Sequence, residues 1–140
     1  MNITHYISIL LACIFIGLLI YLTYVQIKEA FESNDPKLIE LYNKISPVHP
    51  IIPSLSFYVG DSSYTLNKEK IYMCMKDKNN VYYDMNTLVY VSLHEVAHVL
   101  CDEIGHTQKF QDIFDDLLDS AIEQGIFNPS IPIVDNYCPT

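Results

Sequence analysis

Three features predict a chain of the α+β class. A charge-free apolar run lies near the N-terminus, short β-type segments crowd the middle, and two later stretches repeat apolar residues at helical spacing. The expected architecture is an N-terminal transmembrane helix followed by a small domain, a short antiparallel sheet packed on two or three helices. Residues 1–28 form the anchor in this reading, 29–46 a linker and short helix, and 47–140 the folded domain that carries the chemistry.

The anchor comes first. Residues 6–27 hold no charged side chain and are dominated by Ile, Leu, Val and Phe. A helix needs about 20 apolar residues to cross a bilayer, and this run supplies them. No basic segment precedes it and no small-x-small cleavage site follows it, so a retained single-pass anchor is expected rather than a signal peptide. Lys28 and Lys37 lie on its C-terminal side with no Lys before it, which by the positive-inside rule puts the folded domain in the cytosol.

After a polar connection, Asp35-Pro36 reads as a helix N-cap with proline in the first turn, and Leu38, Leu41, Tyr42 and Ile45 continue at helical spacing. Prolines 47, 50 and 53 then break the chain, and His49 among them reads as a solvated loop residue. Residues 55–59 and 63–66 have strand character, and 67–70 read as a turn. Residues 71–76 and 81–83 look like a hairpin closed across 77–80. The last helix is capped by Thr107 and carries Phe110, Ile113, Phe114, Leu117, Leu118, Ala121 and Ile122 on one face, with Asp112, Asp115, Asp116, Asp119 and Glu123 on a solvated one. Gly125 ends it, and a proline-rich tail wraps the surface.

Between sheet and last helix lies the stretch that carries the chemistry, HEVAHVLCDEIGH from His94 to His106, opened by a helix cap at Asp84 or Asn86. On a helix, His94 and His98 fall one turn apart on one face, close enough to share a metal ion. Glu95 projects beside them without being forced to ligate. Leu88, Val91, Leu93, Val96, Ala97, Val99 and Leu100 make this helix apolar nearly all round, so it belongs in the core. Unpaired polar groups there cost a few kcal/mol each, and a bound metal removes that cost. Gly105 supplies the chain reversal that brings His106 back as third ligand. Three protein ligands and an open position are what catalytic zinc uses, so the expected set is His94, His98 and His106 on Zn2+, with Glu95 as general base.

Composition narrows the partners. The chain has 140 residues, a net charge of −9, eight lysines and no arginine, a poor surface for nucleic acid. Cys13 lies in the anchor, leaving Cys74, Cys101 and Cys138, an odd number without framework spacing. No disulfide scaffold is expected and a reducing compartment is favoured; one pair, Cys74 with Cys101 or Cys138, forms only if the domain is lumenal.

With His94, Glu95, His98, Gly105, His106 and Phe110 on the page, the chain resembles small zincin metallopeptidases of the WLM and SprT-like kind. Those place a third histidine before a helix that starts His-x-x-x-Phe, as His106 to Phe110 do. More closely, residues 64–68 through Gly105-His106, with Asn128-Pro129-Ser130 and Tyr137-Cys138, look like a family of small anchored proteins of large DNA viruses. The resemblance implies a zincin-like domain with zinc on the three histidines and catalysis by Glu95. The gap from His98 to His106 is longer than in metzincins, which sets that subclass aside. The substrate of cellular relatives, protein crosslinked to DNA, is not carried over to an acidic, anchored chain.

The function expected is that of a membrane-anchored zinc metallopeptidase acting on protein or peptide, with the bilayer as its other partner, in a host or virion membrane. Tyr64, Tyr82 and Tyr83 are the candidates for stabilising the developing oxyanion. The rival is a catalytically silent zincin-fold structural or interaction protein. A third reading has the Cys138 thiolate closing the open metal position.

Overall fold

A computed structural model describes residues 2–138. It divides into two units, residues 1–32 and 33–140.

The first unit is almost wholly one helix, α1 (Ile3–Ser33), with no buried residue. It is long and apolar enough to cross a membrane by length and composition. The polar stretch expected as a connection is instead its last turns, where Lys28 pairs with Glu32 at 3.6 Å.

The second unit begins as its sequence dictates. Asp35 caps α2 (Pro36–Ile45), accepting from the amides of Lys37 and Leu38, and Pro36 occupies the first turn. Leu38, Leu41 and Ile45 are buried, so this amphipathic helix turns its apolar face to the core. A 3-10 turn (Ile52–Ser54) leads to three short strands, β1 (Ser56–Val59), β2 (Tyr64–Leu66) and β3 (Lys70–Met73).

Here the structure corrects the expected sheet. The order is β1-β3-β2, with β1 parallel and β2 antiparallel to the central β3. The sheet is therefore mixed, not purely antiparallel. The hairpin read from residues 71–83 shrinks to one bridge between Lys76 and Tyr82 beyond the end of β3. Asp77 does close that turn, accepting from the amides of Asn79 and Val81. The turn signal was sound, but the partners of β3 come from earlier in the chain.

Side chains alternate across the sheet as the pleat requires. Phe57, Thr65, Ile71 and Met73 face inward. Tyr58, Tyr72 and Tyr64 share the outer face and stack across all three strands, with ring centroids 5.2 and 4.7 Å apart.

Asp84, not Asn86, caps α3 (Met85–Leu100), accepting from the Thr87 amide. Asn86 instead clamps the tail through Asn128 and Ile131. Helix α3 is the centre of the unit: Leu88, Val89, Leu93, Val96 and Ala97 are buried against the sheet, α2 and α4. Thr107 caps α4 (Gln108–Glu123). Its Phe110, Phe114, Leu117 and Ala121 are buried while its aspartates face solvent.

Candidate metal centre

The local reason for the site lies in how α3 stops. Its last residue is Leu100, and Cys101 is already extended. Lys68 caps the end by donating to the Cys101 carbonyl at 2.6 Å, a cation at the negative pole of the helix. A short loop follows in which Gly105 has φ +84°. The reversal expected at Gly105 is therefore present, but it lies in the loop and not at the helix end. Asp102 in that loop pairs with Lys109 of α4 at 2.6 Å, both well exposed.

This path brings the three histidines together. His94 and His106 Nε2 stand 3.0 Å apart, and His98 and His106 Nε2 3.2 Å. Nitrogens at the corners of a zinc tetrahedron lie about 3.3 Å apart when each bond is about 2.05 Å. Three imidazole nitrogens so placed, two from α3 and one from the loop after it, all within 4.8 Å of one another, fit a single borderline-soft divalent cation. Among the described residues they form the cluster of His, Cys, Asp or Glu close enough to hold one. Phe110 is their floor: fully buried, its ring lies 4.4 Å from that of His98, 4.8 Å from His106 and 4.9 Å from His94.

Electrostatics favour ligation. Burial, and then the charges His98 and His106 would carry, lower His94 to about 4. Burial and His106 lower His98 too. Both rings are thus neutral at pH 7, the form that binds metal.

Glu95 is 7% exposed on the next position of α3. The Thr65 hydroxyl of β2 lies 2.9 Å from its Oε2 and 3.0 Å from its carbonyl oxygen. Burial pushes the Glu95 carboxyl above its usual range, and the Thr65 bond pulls it partly back. Sequence reasoning missed Thr65. The available signal was a polar residue at the inward position of a strand, between outward Tyr64 and Leu66.

The tyrosines named for the oxyanion do not face the site. Tyr64 stacks on the outer sheet face, the Tyr82 hydroxyl donates to Asp35 at 2.8 Å, and the Tyr83 hydroxyl accepts from the Cys138 amide at 2.8 Å. Nor is Cys138 free to reach a metal, because it is bonded to Cys74. Of the two pairings left open for Cys74 the structure forms the one with Cys138, although a reducing compartment was favoured; Cys101 and Cys13 remain free.

The tail crosses close by. The Tyr137 hydroxyl donates to the Cys74 carbonyl at 2.5 Å and lies 2.8 Å from Ser63 Oγ. Burial pushes it up to about 12; Ser63 opposes the rise, and neighbouring Tyr83 and Glu95 add to it.

The chain is similar to proteins of large DNA viruses, each uncharacterised. Protein 136R of Invertebrate iridescent virus 6 is 50% identical over 93 residues, 64% of this chain and 52% of that protein. Protein 042R of Invertebrate iridescent virus 3 is 46% identical over 100 residues, 67% and 63% of the two. Protein R325 of Acanthamoeba polyphaga mimivirus is 40% identical over 68 residues, 47% and 34% of the two. This chain thus spans between about a third and two thirds of the curated relatives it matches. No family model and no solved structure matches it.

Proposed function

We propose that the second unit is a zincin-like, zinc-dependent peptidase, held at a membrane of a large DNA virus or its host by α1. One observation carries the reading: His106 Nε2 lies 3.0 Å from that of His94 and 3.2 Å from that of His98, and a buried glutamate follows His94 on α3. His94, His98 and His106 would hold the metal. When bound, zinc supplies a Lewis acid that acidifies water and polarises a carbonyl.

The chain's own residues do the rest. Glu95 is the general base and then the general acid, taking a proton from the attacking water and giving it to the leaving amine. With Oε2 held by Thr65, Oε1 is the oxygen that moves the proton. A carboxyl raised by burial suits that task near neutral pH better than an ordinary one. Phe110 packs against the three rings, and the low proton affinity of His94 and His98 keeps those two neutral.

The substrate is protein or peptide, and the acidic surface gives nucleic acid no footing. The Cys74–Cys138 bond supports placing this unit on an oxidising side of the membrane. The cytosolic side, expected from two flanking lysines, has the weaker support.

The test pairs two variants of the full chain with metal analysis. Glu95→Gln should retain one zinc per chain and lose cleavage of a quenched fluorescent peptide library. His106→Ala should lose the metal. Zinc retained in His106→Ala refutes the ligand set. Cleavage retained in Glu95→Gln refutes the base. Full zinc with no cleavage by the wild type would leave a silent scaffold.

A further inference from the structure

The C-terminal tail is tied to the side of the site that holds the Glu95 carboxylate, not to the side where the three imidazoles converge. Asn86 and Thr87 hold it at the first turn of α3, the latter by accepting from the Val134 amide at 3.2 Å. Its end is fixed more firmly. Cys138 is bonded to Cys74, just past β3, across a separation of 64 residues, and its amide donates to Tyr83. Ser63 Oγ accepts from the Cys74 amide at 2.9 Å and pairs with Tyr137, which also donates to the Cys74 carbonyl.

Ser63 is the residue before β2. The path is therefore continuous: Cys138, Cys74, Ser63, β2, then the Thr65 hydroxyl on Glu95. Strand β2 has three residues and pairs on one side only, with β3. So short an edge has little stability of its own. The tail also stores conformations that need holding, since Asn136 and Cys138 sit at φ +56° and +45°, where side-chain-bearing residues are strained. The histidines meet this path only indirectly, since it reaches α3 at backbone carbonyls, that of Glu95 through Thr65 and that of Cys101 through Lys68. They rest on α3, the loop with Gly105, and α4 with Phe110.

We propose that the Cys74–Cys138 bond is a redox switch on the Glu95 arm of the site: oxidised, it seats β2 and the carboxylate; reduced, it frees the tail and unseats them while the histidines still bind metal. The proposal rests on the peptidase reading for its consequence, though not for its structural part. The physiological reductant is a dithiol. Its thiolate attacks the partly exposed Cys138 sulfur, the bond to Cys74 breaks, and Cys74 leaves as a thiolate that takes a proton. The second thiol then resolves the mixed disulfide. Two electrons and two protons reach the protein, and the dithiol ends as a disulfide. A disulfide oxidant runs the step backwards. A chain made where thiols stay reduced would thus be switched off until it meets such an oxidant.

The full chain in detergent micelles, loaded with cobalt, tests this. The reductant is a water-soluble phosphine, which leaves as its oxide, taking its oxygen from water, and does not compete for the metal as a thiol would. Hydrogen exchange at residues 63–66 is compared in the oxidised, reduced and Cys138→Ser forms, beside the visible spectrum of cobalt and turnover of a quenched peptide library. Reduction and Cys138→Ser should each speed exchange there about tenfold or more and leave the cobalt spectrum unchanged. Turnover should fall on the order of 100-fold, mostly in kcat, and return on reoxidation of the wild type only. Tyr137→Phe, with the bond intact, should give a smaller change of the same kind. Unchanged exchange at 63–66 on reduction overturns the switch. So does loss of the cobalt spectrum together with faster exchange, which would make the bond a brace for the whole unit. If no form cleaves any peptide, the peptidase reading falls, and the exchange and cobalt measurements alone decide the switch.

Discussion

A single hydroxyl decides how Glu95 is presented. The residue is 7% exposed, and the Thr65 hydroxyl is 2.9 Å from Oε2. Taking that donor away leaves a nearly dry carboxylate short of a partner, which costs about 1–3 kcal/mol or drives it to the protonated form. A protonated Glu95 cannot take the proton from water. Thr65→Val, close in shape, should therefore lower turnover at neutral pH about tenfold while zinc content stays at the wild-type value, and Thr65→Ser should recover most of it. Equal activity in all three would remove Thr65 from the site. The imidazoles give a second expectation. His94 is lowered to about 4 and His98 is lowered as well, while in the unfolded chain each ring titrates near 6.5. Between these limits the unfolded chain binds more protons, so the metal-free unit is at full stability above pH 6.5 and loses it as the pH falls towards about 4. Thermal unfolding of metal-free wild type against His94→Gln isolates this contribution. The two curves should converge as the pH falls through that window, and parallel curves would contradict the burial argument.

Elements differ in how plainly they were written. Helix α2 was readable to the residue, because Asp35-Pro36 combines a side-chain cap with a proline that can only begin a helix. Helix α4 was equally plain, from Thr107 and a regular apolar stripe. The strands were visible too, but not their partners: alternation shows which side chains face inward and says nothing about which strand lies alongside. The turn at Asp77 therefore advertised a hairpin, while β3 in fact lies between β1 and β2. The loop from Cys101 to His106 sits between these extremes. Gly105 was identified as the pivot, and its φ of +84° bears that out. No atom would meet a Cβ there within 4 Å, so Gly105→Ala pays only for backbone conformation. We expect about 1–2 kcal/mol lost from the metal-free unit by denaturant titration, with zinc affinity reduced because His106 is carried on the pivot. Unaltered stability would mean the loop can settle elsewhere without cost.

For the molecule as a whole, the histidine cluster was legible because its spacing obeys helix geometry, whereas the disulfide was legible only as one of two alternatives for Cys74, since Cys138 is 64 residues away and nothing local chooses it over Cys101. On the proposed anchoring by α1, that bond bears on which side of the membrane the second unit occupies. The flanking lysines argue for the cytosol, but there are only two of them, a weak bias. A loop of that size closed by a disulfide is worth about 4 kcal/mol in chain entropy, a large share of the stability of a domain this small. Such a bond persists where thiols oxidise. In cells expressing the full chain, thiols trapped by acid and alkylated after denaturation should react at Cys13 and Cys101 alone, with Cys74 and Cys138 joining only after reduction. Membrane vesicles from the same cells should shield the second unit from added protease until detergent is present. Alkylation of all four cysteines without reduction, with free digestion of the unit on the cytosolic face, would return it to the side its lysines indicate. The switch at Cys138 would then rest in its reduced position in the cell.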